Sequence, residues 1–241
     1  MPRRARLGAA TLAAALCLQT VPAHSLRFDG SLSRYVDSLA AAKPAPRVSI
    51  DVRSAPEAGA WARKAAELVR DWFPLVCGLL ATEDYRPPRG IRLVLKPDID
   101  APAYAGGDEI TINARWIAQH PDDFGMVIHE MTHVIQHYPG GGDKPGWLVE
   151  GIADYIRWWR YEPEAPRPRV DPDRAGYTDS YRTTAAFLAW AVYRYDRGLV
   201  RKLDGALRER KYRPSLFEEA TGKTLDALWT EYVDGLRRAA R

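Results

Sequence analysis

Apolar and polar positions alternate over Val48-Ser49-Ile50-Asp51-Val52, the period-two pattern of a half-buried strand. Over residues 60–80 the period lengthens. Trp61, Ala65, Leu68, Val69 and Trp72 recur on one face of a helix, which Pro74 is expected to end or kink. Ile91-Arg92-Leu93-Val94-Leu95 reads as a second strand, residues 104–108 as a turn around a Gly-Gly pair, and Glu109-Ile110-Thr111-Ile112-Asn113 as a third strand. After that the chain is helical. Pro121-Asp122-Asp123 offers a helix start, with carboxylates at the positive end of the helix dipole; the helix is expected to run to about Tyr138, where Pro139-Gly140-Gly141-Gly142 stops it. A second helix begins near Trp147 and holds Glu150. Residues 163–172, rich in proline and arginine, read as a surface loop, and further helices are predicted over 180–196, 199–211 and 225–239.

No internal repeat or domain linker interrupts this order. Strands first and helices later predict one α+β domain over residues 47–241, with a small N-terminal mixed sheet and a helical C-terminal part. Residues 24–46 form a lead-in ending in Lys43-Pro44-Ala45-Pro46, a run opposed to regular structure. Ahead of it, Arg3, Arg4 and Arg6 precede a short apolar run over residues 7–18, and Val21-Pro22-Ala23 offers small residues for cleavage. Residues 1–23 therefore read as a secretory signal peptide, since the run is too short to span a bilayer. The mature chain is expected to be secreted, periplasmic or extracellular, with no membrane span.

Composition narrows the partners. Hydrophobic residues (46%) and charged residues (27%) occur in the proportions of a folded domain, not a disordered one. The formal charge of +4 includes three arginines of residues 1–23, so the mature chain carries +1. That balance gives no case for nucleic acid or an anionic membrane as partner. Loss of Cys17 with the leader would leave only Cys77, so no internal disulfide is expected; Cys77, in an apolar segment, reads as a small buried hydrophobe.

The candidate chemistry lies in His129-Glu130-Met131-Thr132-His133. On a helix, two histidines four residues apart share a face one turn apart, so their rings can converge on one ion. Glu130 lies about 100° round the helix, where it can approach a water beside the metal without competing as a ligand. A catalytic zinc needs a third protein ligand and one open position. His137 shares the face but lies about 12 Å along the axis from His129, too far for one ion. It is expected near the helix C-terminus, where a cation is favoured. Glu150 is the better third ligand, because the glycines at 140–142 allow the chain to reverse. Asp154, at i+4 from Glu150, is placed to accept the second N–H of a ligating histidine. H-E-x-x-H alone occurs in unrelated helices. Its conjunction with a glycine break and Trp147-Leu148-Val149-Glu150-Gly151-Ile152-Ala153-Asp154-Tyr155 argues for a metal site.

These two segments, with Gln136 and Gly146 at their borders, resemble the basic secretory protein family, plant-type secreted proteins with bacterial relatives. The similarity extends to Ser180-Tyr181-Arg182-Thr183-Thr184-Ala185-Ala186-Phe187-Leu188 and to a tail with Phe217-Glu218-Glu219-Ala220-Thr221-Gly222-Lys223 and Leu228-Trp229-Thr230-Glu231-Tyr232, covering residues 47–237. The resemblance implies a zincin-like peptidase of the gluzincin type, with a single zinc ion per chain. His129, His133 and Glu150 would hold the metal and Glu130 would be the catalytic base. It also implies a group that steadies the tetrahedral oxyanion. Tyr181, heading a helix after the metal elements and matching a family position, is the first choice, and Tyr177 is the alternative.

The expected function is thus a secreted zinc metallopeptidase acting on a peptide or protein substrate. The rival from another class is a secreted binding protein, a degenerate peptidase that keeps its zinc for structure; an intact Glu130 counts against it. Zinc hydrolysis of a non-peptide amide is a third reading. Among weaker signals, Ile110-Thr111-Ile112-Asn113 is expected to offer a sheet edge for an extended peptide. Gly106-Gly107-Asp108-Glu109 reads as a hairpin turn, not an amine-binding loop. Trp158, Trp159 and Tyr161 read as helix core and rim, and Arg167 and Arg169 as a solvated loop.

Overall fold

The computed structural model describes residues 44–82, 84–179 and 181–240. The signal peptide read over 1–23 and residues 24–43 of the lead-in lie outside the described residues. Four strands form one sheet: β1 (Arg47–Asp51), β2 (Gly90–Lys96), β3 (Ala103–Gly106) and β4 (Glu109–Asn113), in the order β1-β2-β4-β3. β1, β2 and β4 run parallel, whereas β3 pairs antiparallel with β4 through the two-residue turn Gly107-Asp108, where Gly107 takes a φ of 58°. Side chains alternate across the pleat. Ile91, Leu93, Leu95, Ile110 and Ile112 are fully buried on one face. The other face carries a polar ladder, in which Arg92 pairs with Asp51 of β1 and Glu109 of β4.

Helix α1 (Gly59–Leu80) covers the buried face and links β1 to β2. Pro74 sits inside α1 and does not end it. A proline costs a helix interior about 3 kcal/mol. Phe73, Val76 and Leu80, all fully buried around it, contribute about 1.5–3 kcal/mol each and outweigh that cost. Sequence periodicity also passes over α2 (Ala114–Gln119), a six-residue helix capped by Asn113. The Asn113 Oδ1 accepts from the N–H groups of Arg115 (2.9 Å) and Trp116 (3.2 Å), so one residue ends a strand and starts a helix.

Helix α3 (Gly125–Gln136) is shorter than residues 121–138, and α4 (Gly146–Ile156) follows it. A π-helical turn, Arg157–Tyr161, extends α4 and holds Trp158, Trp159 and Tyr161. Then come α5 (Tyr181–Arg194), α6 (Leu199–Arg208), α7 (Ser215–Thr221) and α8 (Leu225–Ala239). The seven-residue α7 is another element that the sequence pattern misses. α4 and α5 approach closely at Gly151, where a Cβ would fall 2.2 Å from the Thr184 Cγ2. Trp159 is buried in the core as expected. Arg169 is exposed as expected, whereas Arg167 is half-buried: it donates to the Trp158 and Pro163 carbonyls and lies over the Trp159 ring, pinning the loop that leads to α5. Among the described residues no helix is long and apolar enough to cross a membrane.

Candidate metal centre

The site forms where α3 and α4 cross. The C-terminal end of α3 and the residues just beyond it are tied down by groups from two other segments, the loop before β2 and α6. The Tyr85 hydroxyl donates to the Ile135 carbonyl (2.5 Å), Arg208 Nε to the Gln136 carbonyl (3.3 Å), and Tyr138 to the buried Asp204 (2.7 Å). His137 caps the helix in the left-handed region, with φ 41°, and is exposed. It stays out of the cluster, as its distance along the axis requires. The chain then reverses through Gly141 and Gly142, both at positive φ, and returns as α4.

That reversal brings His129, His133 and Glu150 together. His129 Nε2 lies 3.1 Å from Glu150 Oε2, His133 Nε2 lies 3.2 Å from the same oxygen, and the two nitrogens are 3.1 Å apart. The three atoms form a nearly equilateral triangle. A tetrahedral ion at about 2.0–2.1 Å from each ligand spreads its ligand atoms about 3.3 Å apart, so the triangle has the size of one face of such a site.

The outer contacts decide what the triangle presents. His129 Nδ1 lies 2.8 Å from Asp154 Oδ1, and a carboxylate can only accept, so Nδ1 carries the proton. His133 Nδ1 lies 2.7 Å from Gln136 Oε1. Gln136 Nε2 donates to the Val149 carbonyl (3.0 Å), which fixes the amide with its oxygen towards His133. Both Nε2 atoms of the neutral imidazoles are then bare lone pairs. Three acceptors facing one another at 3.1–3.2 Å require a positive charge between them.

Without a metal, a proton supplies that charge. Burial alone would lower the His129 pKa. Hydrogen bonds to Asp154 and Glu150 outweigh it and raise the group to about 9. Burial would likewise raise Glu150, yet the two histidines bring it down to about 2. Glu130 moves upwards, chiefly through burial, against the attraction of His129 and His133 and a hydrogen bond from the Ala105 backbone N–H. Glu130 therefore meets β3 on one side and the donor cluster on the other.

Tyr181 is 55% exposed, and its ring centroid lies 6.4 Å from that of His129. Tyr177 is committed elsewhere: its hydroxyl donates to Asp226 (3.3 Å) and its ring packs on Trp147, Phe187 and Trp229. The expected sheet edge moves. β4 cannot offer one, because β2 and β3 flank it on both sides; the outer strand beside Glu130 is β3. Sequence reasoning missed Ala105 and Gln136. The signal for Gln136 was local, since it lies one turn beyond His133 on the same face.

A family model described as a peptidase of plants and bacteria (BSP) matches residues 59–232, a span that contains the whole donor cluster. No curated protein and no solved structure matches the chain.

Proposed function

The chain belongs to the basic secretory protein (BSP) family of plant and bacterial peptidases, and from that premise we propose that it is a secreted zinc metallopeptidase with a zincin-like, gluzincin-type domain over residues 47–241. The observation that carries this reading is the triangle of bare donor atoms, held open by Asp154 and Gln136. Two imidazole nitrogens and one carboxylate oxygen make up a donor set found in catalytic zinc sites, which leave a fourth position free. His129, His133 and Glu150 would hold the metal. Bound zinc supplies Lewis acidity, polarising a peptide carbonyl and making a neighbouring water acidic near neutral pH.

The remaining steps belong to the chain. An extended substrate pairs with β3 by backbone hydrogen bonds, which brings its scissile carbonyl to the cluster. Glu130, whose burial makes it a stronger base, takes a proton from the attacking water and delivers it to the leaving amine nitrogen. Asp154 holds the His129 ring in the required tautomer. Tyr181, beside His129, donates its hydroxyl proton in a hydrogen bond to the developing oxyanion. Export through the leader at residues 1–23 is part of the same reading.

Glu130→Gln tests it. The variant should bind one metal per chain with unchanged affinity and lose peptide hydrolysis by 10²-fold or more, on the order expected for removal of a general base. Full peptidase activity in that variant would refute the base. Metal binding with no cleavage of any peptide by the wild type would favour the rival binding protein.

A further inference from the structure

Gln136 is 1% exposed, lies outside the triangle, and touches both halves of it. Its amide oxygen meets His133 Nδ1 at 2.7 Å, and its amide nitrogen meets the carbonyl of Val149, the residue before Glu150, at 3.0 Å. The two contacts are not independent. Turning the amide over would set its NH₂ group against the His133 Nδ1–H and its oxygen against the Val149 carbonyl, leaving like facing like at both ends. The Val149 carbonyl therefore dictates the direction of the amide, and the amide dictates which nitrogen of His133 carries the proton. Burial removes water as a substitute for either contact.

We propose that Gln136 is a positioning residue that locks His133 with its proton on Nδ1, leaving Nε2 bare for the metal, and that it transmits the position of α4 to that choice. The proposal rests on the reading of His133 as a metal ligand. Asp154 does the same for His129, but as a charged acceptor on α4. Gln136 is neutral and sits on α3 with its histidine, so it leaves the net charge of the site unchanged. Without the amide oxygen, the buried Nδ1–H has no acceptor and the proton moves to Nε2, where it blocks the metal.

Nitrogen-15 NMR of histidine-labelled, metal-free wild type, at a pH where both imidazoles are neutral, reads the tautomer directly. His133 should carry its proton on Nδ1. Zinc affinity, measured by competition with a chromophoric chelator, is then compared for Gln136→Met and Gln136→Glu. Both variants lose the donor to Val149, and Gln136→Glu also sets an oxygen against that carbonyl, so both should melt below wild type when metal-free, and a loss of stability alone would not favour zinc binding by Gln136→Glu. Only Gln136→Glu keeps an acceptor for Nδ1–H. It should retain the tautomer and bind zinc within about threefold of wild type, whereas Gln136→Met should lose the tautomer and about 10–100-fold in affinity. A proton on His133 Nε2 in the wild type, or equal zinc affinities in the two variants, would overturn the proposal. The wild-type spectrum decides the matter even if Gln136→Met fails to fold. A wild type that shows the Nδ1–H tautomer yet binds no zinc would instead sink the metal reading.

Discussion

Gly151→Ala tests whether the contact between α4 and α5 sets the geometry of the site. The new Cβ would lie 2.2 Å from the Thr184 Cγ2 and 2.7 Å from its Cβ, more than an ångström inside ordinary contact with the methyl. Thr184 cannot turn away freely: it is fully buried, and its hydroxyl donates to the Tyr177 carbonyl. The helices must therefore part. Overpacking of this kind costs about 1–3 kcal/mol, occasionally more, while the better helix propensity of alanine returns about 1 kcal/mol. A clash this deep falls in the upper part of that range, about 2–3 kcal/mol, so the expected net loss is about 1–2 kcal/mol, a fall in Tm of about 2–8 °C for a domain of this size. Glu150 adjoins Gly151, and Tyr181 lies one turn before Thr184, so zinc affinity should fall as well. Thermal melts of the wild type, both single variants and Gly151→Ala with Thr184→Ser give the cycle. Serine keeps the hydroxyl and deletes the methyl, so the pair should couple by at least about 0.5 kcal/mol. A Gly151→Ala protein as stable as wild type, or no coupling to Thr184, would refute the reasoning.

Two other outcomes follow from the site. His129 keeps its proton up to about pH 9 in the metal-free protein, so zinc binding at neutral pH must displace it. Apparent zinc affinity should rise about tenfold per pH unit from 7 to 9 and then level off, with about one proton released per ion in calorimetry across several buffers; a flat profile would contradict the raised pKa. Stability of the metal-free fold runs the other way: the contribution of a group raised from 6.5 to about 9 is complete below 6.5 and lost as pH climbs through 9. His137→Gly should leave metal content and activity intact and raise stability by about 0.5–1 kcal/mol, since a non-glycine residue at φ 41° is strained. Loss of metal in that variant, read by elemental analysis, would reinstate His137 as a ligand.

What the sequence disclosed depended on how local the governing contacts were. His129 and His133 lie one turn apart on one helix, so their convergence could be read from spacing alone. Glu150 required the reversal at Gly141 and Gly142, and the glycines advertised it. β3 escaped because four residues, Ala103–Gly106, have too short an alternation to stand out from a turn. Without β3, the edge was assigned to β4. Pro74 does not end its helix, because the burial on either side, which composition does not show, outweighs its local cost. Arg167 looked solvated by composition, whereas its carbonyl partners come from the π-helical turn and the loop beyond it, a geometry no periodicity announces.

X-ray anomalous scattering from zinc-loaded crystals tests the central claim most directly. The account predicts one peak per chain at about 2.0–2.2 Å from His129 Nε2, His133 Nε2 and a Glu150 carboxylate oxygen, with Glu130 outside the coordination sphere. A peak held by any other set of side chains, or no bound zinc at a concentration that saturates solution binding, would contradict it.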